Sequence, residues 1–172
     1  IQLGFIKTTH LPVKIIVVGN VIAGGAGKTP TVVAVVEYLQ QKGLKVGIIS
    51  RGYGRQLHSG NQNQALEIMP NTSATSAGDE PLLLKKICQV PVFVSTKRVA
   101  AAQALLAQYP DTQIIVSDDG LQHTALPRML EVIVFDDRGV GNGRLIPAGL
   151  LREKWPRTLT KQSSNHTLVL HT

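Results

Sequence analysis

The run Ile15-Ile16-Val17-Val18-Gly19-Asn20-Val21-Ile22-Ala23-Gly24-Gly25-Ala26-Gly27-Lys28-Thr29 constrains this chain more than any other stretch. A short β-branched segment enters a glycine-rich turn that closes on Gly-Lys-Thr, and a helical pattern begins at once. That order, strand then loop then helix, is what a phosphate-binding loop requires. Gly24, Gly25 and Gly27 lack a Cβ, so the backbone is free to take positive φ and turn successive N–H groups toward one anion. Lys28 adds a point charge for the outer phosphates, and the Thr29 hydroxyl is a ligand for the magnesium ion that accompanies them. A helix starting near Thr29 presents unpaired N–H groups and the positive end of its dipole to the same place. The nucleotide-binding segment expected here is therefore Ile22, Ala23, Gly24, Gly25, Ala26, Gly27, Lys28 and Thr29, with a nucleoside triphosphate as ligand. The strict spacing would put a first glycine at Ile22, so the tight turn is expected one step later, at Gly24-Gly25.

A chain of 172 residues holds one domain with a sizeable core. Aromatic residues make up only 4%, while Val, Ile, Leu and Ala dominate, a composition suited to buried parallel strands covered by helices. The single cysteine, Cys88, excludes an internal disulfide; set among apolar residues, it reads as a buried structural thiol. The net charge of +7 favours an anionic partner, such as nucleotide phosphates or an anionic membrane surface. Nucleic acid gains no support, because there is no run of five basic residues and no basic stripe interleaved with aromatics. No apolar stretch reaches 18 residues, and no signal peptide is visible.

Along the chain, Val13 to Gly19 reads as the first strand and Thr31 to Gln41 as a helix stopped by Gly43. Lys45 to Ser50 is a second strand, and Arg51-Gly52-Tyr53-Gly54-Arg55 follows at its carboxyl end, where open α/β sheets bind ligands. Either arginine suits a phosphate; a solvated turn is the plainer alternative. Residues 56–75 are rich in Asn, Gln, Ser and Gly, and are expected to leave the core as a mobile excursion. Ser76-Ala77-Gly78-Asp79-Glu80-Pro81 opens another helix, where the two carboxylates are explained by capping and the helix dipole. Val92 to Ser95 reads as a strand, and Lys97 to Tyr109 as an alanine-rich helix ended by Pro110.

The second sharp signal is Gln113-Ile114-Ile115-Val116-Ser117-Asp118-Asp119-Gly120, an apolar strand that ends in aspartate. A triphosphate site needs such a carboxylate across from its glycine loop to hold magnesium, directly or through water. Gln122 and His123 follow within reach of the same cleft. Leu130 to Phe135 is a further strand ending in Asp136 and Asp137, Gly139 to Gly149 a glycine-rich loop, and His166 to His171 a last strand. The fold expected is a phosphate-loop α/β sandwich of three layers around a mostly parallel sheet.

Taken together, these motifs resemble the tetraacyldisaccharide 4′-kinases, which phosphorylate the lipid A precursor of Gram-negative bacteria. The resemblance runs through Gly24-Gly25-Ala26-Gly27-Lys28-Thr29-Pro30, Ser50-Arg51-Gly52-Tyr53-Gly54, Ala77-Gly78-Asp79-Glu80-Pro81, Asp118-Asp119-Gly120-Leu121-Gln122-His123, and Gly141-Asn142-Gly143 with Pro147-Ala148-Gly149-Leu150-Leu151-Arg152-Glu153. It implies ATP- and Mg²⁺-dependent transfer of a γ-phosphoryl group to the 4′-hydroxyl of a tetraacylated glucosamine disaccharide 1-phosphate. It implies that Asp79 is the general base, that Lys28 stabilises the transferred group, and that Asp119 serves both catalysis and metal binding. The implied metal set is Thr29, Asp118, Asp119, Gln122 and Glu153; the implied substrate or phosphate contacts are Arg51, Tyr53, Glu80, His123 and Arg152. It also implies a lipid substrate, the cytoplasmic face of the inner membrane, an N-terminal membrane-associated helix of which residues 1–12 are a remnant and connector, and a C-terminal lobe beyond the 13–172 core. That lobe carries a partner histidine in the family, a role that neither His166 nor His171 can be given.

Three positions depart from the family pattern: Ile22 for a usual Ser or Thr, Met129 where Asp is common, and Leu150 where Pro is usual. Two other readings stay open on the residues alone. One is another small-molecule kinase or ATP-dependent ligase on the same core; the other is a nucleotide-dependent switch, for which no guanine-reading N-K-x-D run is present.

Overall fold

The computed structural model describes residues 11–54, 64–123, 125–157 and 166–172. Seven strands form one sheet: β1 (Lys14–Gly19), β2 (Val46–Ser50), β3 (Leu66–Glu67), β4 (Val92–Val94), β5 (Ile114–Asp118), β6 (Leu130–Phe135) and β7 (His166–His171). The helices are α1 (Lys28–Gln41), α2 (Ala74–Ala77), α3 (Asp79–Cys88) and α4 (Arg98–Gln108). The spatial order is β3-β4-β2-β5-β1-β6-β7, parallel throughout except for the edge pair β3–β4.

The β-branched run of β1 is buried from Ile15 to Gly19 because both faces of the sheet are covered. Its side chains alternate between two cores. Ile16 and Val18 join Val32, Val36 and Leu39 of α1 and Leu84 and Cys88 of α3. On the other face, Ile15 and Val17 join Ala101, Ala102 and Leu105 of α4, together with Leu121, Leu126 and Leu151 from loops. The expected three-layer arrangement is thus present, with helices on both faces. Cys88 is buried as expected, and burial pushes its thiol up to about 11.

One expectation is corrected. The expected excursion over 56–75 is tied back to the sheet: within its described part, 64–75, most residues are exposed, but β3 pairs antiparallel with β4, with Leu66 opposite Val94 and Glu67 opposite Phe93. Both Glu67 carboxylate oxygens are held at the end of α4, at 2.5 Å by Gln108 Nε2 and at 2.6 Å by Tyr109 Oη. Ile68 is fully buried. Arg55, residues 1–10 of the expected N-terminal remnant and connector over 1–12, and the excursion's remaining residues up to 63 lie outside the described residues.

Candidate active site

The chain crosses from β1 past β5 to β2 and β4, then returns to place β5 between β1 and β2 before β6 joins the far side of β1. The carboxyl ends of β1, β2 and β5 therefore meet where the winding direction changes, the position at which open α/β sheets bind ligands. β1 delivers the glycine loop, β2 delivers Ser50 and Arg51, and β5 delivers Asp118 and Asp119.

The loop departs in detail from the sequence expectation. Gly24 and Gly27 take positive φ, at 91° and 73°, whereas Gly25 does not. A side chain at Gly27 would also be crowded, since a Cβ there would stand 3.0 Å from Thr172 Oγ1 just past β7. Ile22 is a structural member of the segment: it is fully buried and bridges to Leu151. The Ala23 N–H is engaged by Leu150 O at 2.7 Å, and the Ala26 side chain lies in the core. What remains for an anion is the backbone of Gly24 to Gly27 with Lys28 and Thr29, where α1 begins with Gly27 as its left-handed N-cap. Lys28 Nζ rests 3.4 Å from Gly24 O.

Beside this loop a cavity of about 240 Å³ gathers Ser50, Arg51, Tyr53, Glu80, Asp118, Asp119, Gln122, His123 and Arg152. Eight residues expected from sequence, all but Ser50 in that set, are thus brought together from four separate stretches. Glu153 joins them through Gln122, whose Nε2 donates to Glu153 Oε1 at 3.0 Å and to Asn20 O at 3.4 Å. Asp79 does not line the cavity; it stands exposed in the first turn of α3, one residue before Glu80. The capping expectation for this pair is corrected: the N-cap is Gly78, and no side chain caps the helix. Gly78 is required here, because its φ is 84° and a Cβ would fall 2.5 Å from Tyr53 O. Its missing side chain lets the start of α3 press against the Arg51–Gly54 turn.

Burial sets the electrostatics. Asp118 is 2% exposed and accepts from Ser50 Oγ at 3.0 Å. Burial, with the nearby Glu80 and Asp119 charges adding to it, raises its carboxyl to about 6. His123 is pushed down to about 4, first by burial and then by the Arg98 and Arg51 charges, so it is neutral at pH 7. Asp119 takes φ 47°, a left-handed conformation uncommon outside glycine. Its carboxylate is held by Arg152 Nη1 at 3.1 and 3.3 Å.

Three arginines that sequence reasoning missed hold this arrangement. Arg98, 2% exposed on α4, donates through Nη2 to Asp118 O at 3.1 Å and Asp119 O at 3.2 Å. Burial lowers it to about 10. Arg157 donates through Nε to Glu153 Oε2 at 3.0 Å and through Nη1 to Glu131 Oε2 at 2.7 Å. Arg138 donates to two carbonyls of the glycine loop. An arginine in an apolar helix was the one available signal for Arg98; the others sit in loops with none.

The donor set suits a hard cation. Asp118, Asp119, Gln122, Glu153 and Thr29 offer oxygen ligands, yet among the described residues no cluster of three or more His, Cys, Asp or Glu closes into a metal cage. Magnesium is held in that sparse manner, by one or two carboxylates with water and substrate phosphate completing its shell.

Residues 1–166 match the family model described as tetraacyldisaccharide-1-P 4′-kinase. The tetraacyldisaccharide 4′-kinase of Polaromonas sp. strain JS666 is 52% identical over 169 residues, which cover 98% of this chain and 48% of that protein. The enzyme of the same name from Acidovorax sp. strain JS42 is 54% identical over 168 residues, 98% of this chain and 46% of that one. A crystal structure of LpxK from Aquifex aeolicus in complex with ATP superposes with a TM-score of 0.75 at 35% identity, covering 87% of this chain and 46% of that one. The chain spans about half the length of the curated relatives it matches.

Proposed function

Because the chain belongs to the tetraacyldisaccharide-1-P 4′-kinase family, we propose that it supplies the phosphoryl-transfer core of a magnesium- and ATP-dependent kinase whose acceptor is the 4′-hydroxyl of a tetraacylated glucosamine disaccharide 1-phosphate. The observation that carries this reading is the convergence on one cavity of Asp118 and Asp119, two arginines, and the first turn of α3, together with a glycine loop whose amides at Gly24 to Gly27 donate to no backbone carbonyl among the described residues.

In this reading the amides of Gly24 to Gly27 and the Lys28 ammonium receive the β- and γ-phosphates, and the N-terminus of α1 adds its dipole. Asp118 and Asp119 would hold the magnesium ion, with Thr29 on the phosphate side and Gln122 and Glu153 behind; when bound, the ion offsets the negative charge of the phosphates. Asp79, exposed in the first turn of α3 one residue before the cavity-lining Glu80, takes the proton from the 4′-hydroxyl as its oxygen bonds to the γ-phosphorus. The bond from that phosphorus to the bridging oxygen breaks, and ADP leaves with the electron pair. Lys28 meets the charge that develops there. Arg51 and Arg152 are placed for the acidic groups of nucleotide or acceptor, with Tyr53 and neutral His123 supplying uncharged hydrogen-bonding groups beside them.

In the same proposal the enzyme works at the cytoplasmic face of the Gram-negative inner membrane, where ATP and a lipid acceptor would meet, and the net charge of +7 suits an anionic surface. Among the described residues no helix is long and apolar enough to cross a membrane. The test is transfer of labelled γ-phosphate from Mg-ATP to tetraacyldisaccharide 1-phosphate in detergent micelles by the full-length protein. A bisphosphorylated lipid is expected, with Asp79→Ala lowering kcat at least about 100-fold while ATP binding persists. Absence of labelled lipid, or an Asp79→Ala variant with undiminished turnover, would sink the proposal.

A further inference from the structure

The glycine loop is gripped on its carbonyl side by a residue of the turn that follows β6. Arg138 Nη1 donates to Ala23 O at 3.2 Å, and Nη2 donates to Gly25 O at 3.1 Å. Asp136 fixes the guanidinium in turn: Nε lies 3.0 and 3.1 Å from its two carboxylate oxygens, and Nη2 lies 2.6 Å from Oδ2. The intervening carbonyl, Gly24 O, accepts from Asn20 Nδ2 at 3.0 Å and Lys28 Nζ at 3.4 Å.

Three consecutive carbonyls are thus engaged. A trans peptide is planar, so the N–H of the next residue points away from each carbonyl. Tying Ala23 O, Gly24 O and Gly25 O to side chains therefore aims the amides of Gly24, Gly25 and Ala26 in the opposite sense. Among the described residues, the amides of Gly24 to Gly27 donate to no backbone carbonyl. A loop with glycine at 24, 25 and 27 has little conformational preference of its own, and Ile22 stands where the strict pattern has another glycine. Something outside the loop must set its peptide planes before the phosphates arrive.

We propose that Arg138, held by Asp136, is a positioning residue for the nucleotide: it braces the Ala23 and Gly25 carbonyls so that the loop amides face the phosphates in advance of binding. The proposal rests on the nucleotide reading above. It requires the fork of a guanidinium, because a lysine ammonium is a point charge that cannot span two carbonyls and a carboxylate together.

The experiment measures affinity of the full-length protein for ATP and for inorganic tripolyphosphate by calorimetry, with steady-state kinetics alongside. Arg138→Ala and Arg138→Lys are each expected to weaken both ligands by about tenfold, as loss of charge-assisted bonds that preorganise a site would. The KM for ATP should rise more than kcat falls, and the melting temperature of the ligand-free protein should stay within a few degrees. Asp136→Asn keeps the arginine but loosens it, and should shift affinity the same way by a smaller factor; it carries the test if Arg138→Ala does not fold. Wild-type affinity in Arg138→Ala, or full rescue by lysine, overturns the brace. Lys28→Ala separates the two levels: if that variant also binds ATP normally, the loop is not the nucleotide site, and the underlying reading fails with the brace.

Discussion

Asp118 and His123 line the same cavity and respond to burial in opposite directions, which gives the residue scale its clearest prediction. Asp118 is raised to about 6 from an ordinary 3.8, so the folded state holds its proton more tightly than the unfolded chain. Its contribution to stability is complete below about pH 4 and is lost as pH rises through about 6. His123 is lowered to about 4 from 6.5, so the unfolded chain holds the proton more tightly. Its contribution is complete above about pH 6.5 and is lost as pH falls through about 4. The two effects oppose each other over one window and partly cancel. Denaturant unfolding in the absence of divalent ions should therefore show stability rising more steeply from pH 4 to 6.5 in Asp118→Asn than in the wild type. His123→Gln should show the reverse; the difference is on the order of 3 kcal/mol across the window for buried Asp118 and smaller for the half-buried His123, where solvent screens the effect. Parallel pH profiles for all three proteins would mean that neither group is shifted. The carboxylates themselves were legible in the sequence, since a strand ending in Asp118-Asp119 downstream of Gly27-Lys28-Thr29 has few other uses. The residues that position them were not: Arg98 reaches its two carbonyls across 20 and 21 residues, and nothing local marks that pairing.

At the scale of elements, α4 lies directly on β2 because Gly47 has no side chain. A Cβ at Gly47 would fall 2.6 Å from Leu105 Cδ1 and 2.9 Å from Leu105 Cδ2, and Leu105 is fully buried with little room to shift. Gly47→Ala is expected to cost about 1–3 kcal/mol through overpacking, and Leu105→Ala about 2–5 kcal/mol through the cavity it leaves. The double variant should be more stable than their sum predicts by about 1 kcal/mol or more, because the new methyl fills part of that space. Strict additivity in urea unfolding would show that the helix does not bear on that glycine. Most elements were legible because their period is local: β6 and β7 fall at the expected bounds, and α4 within one residue of them. β3 was not, since two residues carry no period, and the strand is fastened by Glu67 to Gln108 and Tyr109 more than 40 positions away. The polar composition around it signalled a loop, and tertiary contacts overrode that signal. The start of α3 was foreseen, but not that Gly78, rather than a carboxylate, occupies its cap.

Across the whole molecule, a chain of ion pairs runs from the core to the candidate site. Glu131 of β6 is 3% exposed, and its two oxygens accept separately from Arg128 Nη1 at 2.8 Å and Arg157 Nη1 at 2.7 Å. Arg128 is buried and also donates to Leu121 O at 3.1 Å and to His123 O; Arg157 continues outward to Glu153, and Glu153 to Gln122. Parallel pairing was expected from the composition, but the strand order that sets β6 beside β1 and brings this chain behind the site follows from long-range contacts alone. The two ends of the chain predict different consequences. Glu131→Ala strips the buried Arg128 of its carboxylate, and should cost about 3–5 kcal/mol. Arg157→Ala leaves Glu131 still paired with Arg128, so its cost should be nearer 1–3 kcal/mol. Yet Arg157→Ala releases Glu153 from its anchor, and Gln122 loses a fixed partner beside Asp118 and Asp119. On the kinase reading proposed above, and in the full-length protein at a temperature where both variants are folded, Arg157→Ala should therefore lose more phosphoryl transfer per kcal/mol of stability lost, with the deficit partly recovered at higher magnesium concentration. Urea unfolding paired with a magnesium titration of turnover reads both quantities. If activity simply tracks stability in the two variants, the chain holds the fold together without aiming Glu153. If Arg157→Ala alone shifts the magnesium dependence, the outer end of the chain tunes the metal-facing side of the site while its buried end holds β6 to the loops.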